Sequence, residues 1–318
     1  MEFELIEKIR KKFPEFIGDD CAIIDFPESE KLLVSTDEMV ENIHFSREYF
    51  TIPDIGYRAV SSAFSDIAAM GGNPIGALFS ISLPEKFNPF EIEQLYEGID
   101  EFCRPHGIKI LGGNITKSDG GIHITTTVIG SAKAPILRSG AKVGDLILIT
   151  GALGGAEAGL FILKKKPDIR MSAKNKKLVE RKHIRPDARI EAGKILAQLK
   201  ISSMIDVSDG LFSDLSHIAD ESGVGFSIEV EKIPLFPAVK EIARAMNISP
   251  YILAAKSGEE YELLFTAQEN IATKAQKILE EKLNLSATII GKITPHRKTA
   301  TLDGKTIPPQ KILGWKHF

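Results

Sequence analysis

Apolar positions along the chain follow two rhythms, and each change of rhythm marks an element. "FELIEKIRKKF" (3–13) repeats its apolar residues at helical spacing and predicts an amphipathic helix. "CAIIDF" (21–26) and "KLLVSTDEMV" (31–40) read as strands flanked by turn residues. "DIGYRAVSSAFSDIAAMGG" (54–72) is helical and is stopped by Gly71, Gly72 and Pro74. "IGALFSISLP" (75–84) reads as a buried strand, and "PFEIEQLYEGIDEFCRPHG" (89–107) as a second amphipathic helix. "IKILGGN" (108–114) and "IHITTTVIGSA" (122–132) are strands on either side of a polar turn, "ITKSDGG". Such alternation implies a mixed α/β architecture.

A fresh strand and helix open after Pro135 in "KAPILRSGAKVGDLILITGALGGAEAGLFIL", so the expected domains are 1–135 and 136–318. In the second, "RIEAGKILAQL" and "FSDLSHIADESG" are helical, while "MIDVSDG", "VGFSIEVEKIP", "YELLFTA" and "ATIIGKIT" supply strands. The lysine-rich "LKKKPDIRMSAKNKKLVERKHIRPDAR" (163–189) reads as a solvated helix and loop face.

Composition narrows the function without naming it. At 318 residues, 43% hydrophobic and 26% charged, the chain has the makings of a sizeable core. A formal net charge of −3 argues against a nucleic-acid binder that works by neutralising phosphates. The expected setting is the cytoplasm: no stretch is apolar enough to span a membrane, the charged N-terminus is no secretory signal, and Cys21 and Cys103 have no metal spacing.

Candidate chemistry lies in the acids. Asp19 and Asp20 precede a strand, Asp37 lies at the end of "LLVST", Asp66 sits in a helix among small apolar residues, and Asp206 and Asp209 lie where a strand hands over to a helix. Ser208 or Asp209 could cap that helix, and Asp20 could be a turn residue; Asp37 and Asp66 suit neither role. Active sites of α/β folds gather where strands end, and carboxylates gathered there need cations. Oxygen ligands without a calcium-loop or zinc pattern favour several Mg²⁺ ions holding a polyphosphate. No Walker loop or dinucleotide fingerprint occurs; "TGALGGAEAGL" reads as a tight turn opening a helix, and "LGGNITKSDGG" is a weak phosphate-loop signal.

In order, "IGDDCAII", "STDEMVENIHF", "GYRAVSSAFSDIAAMGG", "LGGNITKS", "RSGAKVGD", "IDVSDGLFSDL", "SGEEYELLF" and the final "GWKHF" resemble the thiamine-monophosphate kinases of the aminoimidazole-ribonucleotide-synthetase superfamily. The resemblance runs from residue 17 to 318. It implies a two-domain PurM-like fold, in which a mixed N-terminal sheet pairs across a homodimer and an α/β domain follows. It also implies transfer of the γ-phosphoryl group of ATP to thiamine monophosphate, with no nucleic-acid or membrane partner. Carried over by position, Asp20, Ser35, Thr36, Asp37, Asp66, Asp206 and Asp209 would hold Mg²⁺. Gly113, Asn114, Arg138 and Ser208 would contact ATP, and His44, Glu259 and Trp315 the acceptor. Three departures stand out: Asn114 replaces the family's usual Asp, Lys117 its usual Arg, and Glu260 the Asp of "GGED". The rival readings are another ATP-using member of the superfamily and a non-catalytic Mg-nucleotide-binding protein.

Overall fold

A computed structural model describes residues 21–26, 30–308 and 311–314. The predicted helix at 3–13, Asp19, Asp20 and Trp315 lie outside them. The N-terminal sheet contains β1 (Ala22–Phe26), β2 (Glu30–Val40), β3 (Asn73–Pro84), β4 (Lys109–Ser118) and β5 (His123–Ala132), in the order β1-β2-β5-β3-β4. Only β3 and β4 run parallel, joined through α2 (Pro89–Cys103) as parallel strands require.

One face of this sheet is covered by α1 (Ile52–Ala69). Thr51 and Asp54 form a capping box at its start, and Gly71, left-handed at φ +64°, ends it. Strand alternation sorts the side chains. Asp37, Thr126, Phe79 and Gly113 are aligned across β2, β5, β3 and β4 on the helix-covered face. Glu38, Thr125, Ser80 and Asn114 form the next row on the opposite face, where Leu78 is 39% exposed.

The second sheet has the order β12-β11-β8-β10-β6-β9-β7. Its strands are β6 (Leu146–Thr150), β7 (Ser203–Asp206), β8 (Gly225–Glu229), β9 (Leu263–Ala267), β10 (Ala287–Thr294), β11 (Lys298–Leu302) and β12 (Lys305–Thr306). With it go α3 (Gly155–Lys165), α4 (Ala173–Ile184), α5 (Ile190–Ala197), α6 (Leu211–Ser222), α7 (Val239–Ala245), α8 (Pro250–Lys256) and α9 (Glu269–Leu283). The two sheets share a core: α1 packs on α5 and β7, and Leu33, Ile67, Leu196, Met204 and Phe265 belong to one buried cluster. At the α1–α5 crossing a Cβ on Gly193 would stand 2.1 Å from the Ala68 carbonyl oxygen, so only glycine lets the helices approach this closely.

Two expectations change. The polar turn is shorter than "ITKSDGG", because β4 continues to Ser118 along β3. Gly112 and Gly113 therefore sit inside a paired strand and not in a phosphate loop; a Cβ on Gly113 would meet the Phe79 carbonyl oxygen at 2.0 Å. The lysine-rich segment is not uniformly solvated either. Lys182 and His183 on α4 are 8% and 2% exposed, and the rest of the helix carries the charge outward.

Candidate active site

Between α1, α3, the end of β7 and the loop before β9 lies a cleft of about 510 Å³. Asp37, Asp66, Asp206 and Asp209 line it, as do Ser208, His44 and Glu259. Each acid arrives on a different support. Asp37 comes from β2, Asp66 from the last turn of α1, Asp206 from the tip of β7 and Asp209 from the loop that follows. Hydroxyls brace two of them: Ser35 donates to Asp66 and Ser65 to Asp206, both at 2.5 Å.

The N-cap of α6 is Gly210 at φ +117°, which has no side chain to cap with. Asp214 does that work from within the helix, its carboxylate accepting the Gly210 N–H at 3.0 Å. Burial, together with Asp209 and Asp206 close by, pushes the Asp214 pKa well up. The Asp209 carboxylate lines the cleft. Three glycines hold the loop tightly. A Cβ on Gly258 would stand 2.6 Å from the Ser208 carbonyl oxygen, and one on Gly314 1.7 Å from that of Asp209. Gly210 lies against both Lys256 and Gly314.

Residues 257–262, "SGEEYE", make three separate uses of their acids. Glu259 faces the cleft. Glu260 is fully buried and accepts the N–H groups of Gly154 and Ala156, at 2.7 and 3.1 Å, and the Ser257 hydroxyl. It thereby caps α3, which explains a longer arm at this position and leaves the glycine-rich turn before α3 occupied by protein. Glu262 is gripped by Arg189 through two parallel bonds of 2.7 and 2.5 Å, by Lys182 at 3.1 Å and by the Thr150 hydroxyl. Burial raises the Glu262 pKa, but these partners outweigh it and hold the carboxyl below its ordinary range. Glu259 and Tyr261 both adopt left-handed backbone, φ +57° and +53°, a strain that surrounding hydrogen bonds to Val207 and Ser208 sustain.

Sequence reasoning missed the basic floor of the cleft. Arg58, on α1 and 1% exposed, pairs with Glu259 and donates to the His183 carbonyl oxygen. Burial, then the charge of Arg58, lowers the His183 pKa to about 3, so its imidazole is neutral. Burial raises the Asp37 pKa, and Glu259 adds to the effect. Lys164 and Lys256 also line the cleft, yet the acids outnumber the cations there. The signal for Arg58 was present as an arginine inside an otherwise small and apolar helix face.

Other expected residues stand elsewhere. Among the described residues, Thr36, Gly113, Asn114 and Arg138 do not line the cleft. Thr36 and Asn114 are on the open face of the N-terminal sheet, opposite Asp37. Arg138 is half-buried beside α6, where its charge acts on Asp214. His44 accepts the Val40 N–H on Nδ1 at 3.0 Å, so a structural bond fixes its ring while it lines the cleft. Among the described residues no three His, Cys, Asp or Glu side chains come together as a ready metal cage. Hard oxygen donors spread along one cleft do fit Mg²⁺, which takes one or two carboxylates and completes its shell with water and phosphate.

This fold and acid-lined cleft define a class. The model of AIR synthase related proteins matches the chain with its N-terminal domain at residues 18–132 and its C-terminal domain at 142–303. The thiamine-monophosphate kinase of Aquifex aeolicus (strain VF5) is 36% identical, covering 100% of this chain and 98% of the relative. That of Bacillus subtilis (strain 168) is 31% identical, covering 100% and 99%. The solved structure "AaThiL complexed with AMPPCP and TMP" superposes with a TM-score of 0.88 at 33% identity, covering 100% of this chain and 97% of that one. The chain belongs to the thiamine-monophosphate kinase family and has its two-domain PurM-like fold.

Proposed function

We propose that this protein transfers the γ-phosphoryl group of ATP in line onto thiamine monophosphate, giving thiamine diphosphate. The single observation that carries the reading is the convergence of Asp37, Asp66, Asp206 and Asp209 with His44 and Glu259 in one cleft. A similar structure holds AMPPCP and TMP together, which supports the same pair of substrates here.

Chemistry fits the residues. The attacking atom is a phosphate oxygen of the acceptor, already anionic at neutral pH, so the site needs no strong general base. Positioning and charge neutralisation do most of the work of phosphoryl transfer. Asp37, Asp66, Asp206 and Asp209, with Asp20 and Ser35, would hold Mg²⁺, which supplies the positive charge that triphosphate and acids together require. Ser208, which lines the cleft, would meet a phosphate, and Arg138, outside the lining, would contact the nucleotide. Glu259 and His44, with Trp315, would meet the organic part of the acceptor.

The same reading includes a homodimer. The open face of the N-terminal sheet bears Leu78 at 39% exposed, and the edge strand β4 adds Ile110, Leu111 and Ile115 at 40 to 50%. A second copy covering this face and the edge strand would bury those side chains and give Asn114 a neighbour. We place the domain boundary at residues 135/136 and the protein in the cytoplasm. The cytoplasmic reading agrees with two buried free thiols and with the absence of any described helix long and apolar enough to cross a membrane.

The test is ADP release in a coupled assay. Turnover that requires thiamine monophosphate and Mg²⁺ is expected. ATP consumption that instead depends on formylglycinamidine ribonucleotide, or ATP binding without turnover on any thiamine phosphate, overturns the reading.

A further inference from the structure

The cleft carries more acids than cations, and of its three cations Arg58 is already bound to Glu259. Phosphate esters are anions, so such a cleft repels them until metal ions are in place. The chain holds the opposite charge just outside. Between Lys164 and Arg181 stand eight lysines and arginines against Asp168 and Glu180, in a chain whose formal net charge is −3. All eight are exposed, and among the described residues only Lys176 has a carboxylate within 4.0 Å, that of Glu180 at 3.9 Å.

This charge adjoins the cleft. Glu157, Leu160 and Lys164 form one stripe along α3 and line it. Lys165 and Lys166 follow at once, and Lys166 closes the helix at φ +44°. In the next loop Ile169 and Met171 pack on the small core shared by α3, α4 and α7, leaving Arg170 exposed between them. Met246 packs on that same core and also lines the cleft. Beside it a shallow pocket of about 450 Å³ is lined by Lys240 and Arg244, one turn apart on α7, with Asn247 and Ser249. Ile248 belongs to the walls of both this pocket and the cleft. Lys164, Lys165, Lys166, Arg170, Lys240 and Arg244 thus flank the side of the cleft that Met246 and Ile248 form. Helix C-termini favour cations, which accounts for Lys164, Lys165 and Arg244 but not for Arg170 or Lys240.

We infer that this cationic apron is a capture surface for phosphate-ester anions, drawing them to the cleft by long-range attraction before the metal-binding acids engage them. A patch of one sign beside a cleft raises the local concentration of an oppositely charged substrate and its association rate, and salt removes the effect. The apron acts on entry and not on phosphoryl transfer, because Lys165, Lys166, Arg170, Lys240 and Arg244 lie outside the cleft lining. The inference rests on the proposed kinase reading for the identity of the anions, the nucleotide and the monophosphate acceptor, and the two arms of its test tell them apart.

The experiment compares two triple charge reversals that change the net charge equally. Lys165→Glu with Lys166→Glu and Arg170→Glu inverts the apron. Lys274→Glu with Lys277→Glu and Lys282→Glu does the same at exposed positions of α9, outside the cleft lining. kcat and KM are measured for ATP and for thiamine monophosphate in turn, at two ionic strengths. At about 0.01 M charges act over about 30 Å, and at about 1 M over about 3 Å. The apron triple should raise the KM of at least one substrate about tenfold at low salt, with kcat within about twofold, and should match wild type within about twofold at high salt. The α9 triple should stay within about twofold of wild type at both. Unchanged KM values for both substrates, a rise that persists at high salt, or an equal rise in the α9 triple overturns the apron. Lys165→Gln with Lys166→Gln and Arg170→Gln serves if the reversed triple does not fold; it should give a smaller rise with the same sensitivity to salt. Calorimetric binding of ATP with Mg²⁺, and of thiamine monophosphate, each alone, repeats the comparison without turnover. Wild-type protein that binds both but transfers no phosphoryl group sinks the kinase reading alone, whereas equal affinities in the apron triple and wild type at low salt sink the apron alone.

Discussion

At the scale of single residues, charge in this protein is decided by neighbours. Asp66 and Asp209 both line the cleft, so Asp66→Asn and Asp209→Asn should each lower kcat at least about a hundredfold in the ADP-release assay. Circular dichroism should report an unchanged fold; wild-type rates in either variant would remove these acids from the metal set. His183 shows the same rule through pH. Its folded pKa is about 3 against an ordinary 6.5, so below 6.5 the unfolded chain takes up a proton that the folded chain refuses. Stability is then lost as pH falls from 6.5 towards 3, by about 2 kcal/mol at pH 5 from this group. His183→Asn should flatten that decline in urea titrations at pH 7.5 and 5; an equal decline in both proteins would show that the histidine is not the source. The strand-end acids were legible because carboxylates among apolar residues are rare without a purpose. The pairing that buries Arg58 and the burial of His183 were not, because they depend on residues far away in sequence, here Glu259 for Arg58.

At the scale of elements, hydrophobic rhythm placed most strands and helices, and capping chemistry fixed several ends. The exceptions have tertiary causes. β4 runs on through "ITKS" because β3 pairs with it in parallel, an arrangement that no local signal announces. α4 reads as a solvated lysine-rich helix, yet Lys182 turns inward to the Glu260 carbonyl oxygen at 2.7 Å and to Glu262. Removing that cation leaves buried carboxylates uncompensated, so Lys182→Met should destabilise the protein by about 3–5 kcal/mol in urea unfolding. A loss under 1 kcal/mol would mean Arg189 satisfies Glu262 alone. The tight loop around Asp209 gives a steric counterpart. Gly258→Ala must push a methyl group against the Ser208 carbonyl oxygen, costing about 1–3 kcal/mol and lowering turnover through the displaced loop. An Ala variant with wild-type melting temperature and kcat would show that the loop has slack.

At the scale of the whole molecule, the proposed dimer would bring a second subunit over the open sheet face. Asp37 and Asn114 lie in neighbouring rows of one sheet but on opposite faces, so in that dimer a nucleotide contact at Asn114 would come from the open side. Leu78→Asp should shift the protein to monomers in sedimentation velocity at micromolar concentration and weaken ATP binding; a wild-type monomer would defeat the dimer. The sequence by itself determined the alternation of elements, the acids at strand ends and the family likeness, because periodicity and motif spacing are local properties of the chain. Tertiary structure alone decided which acids share a cleft, which cap a helix, and which are neutralised in the core. Those choices depend on distance in space and on exclusion of water, and both arise only when the two sheets close on α1.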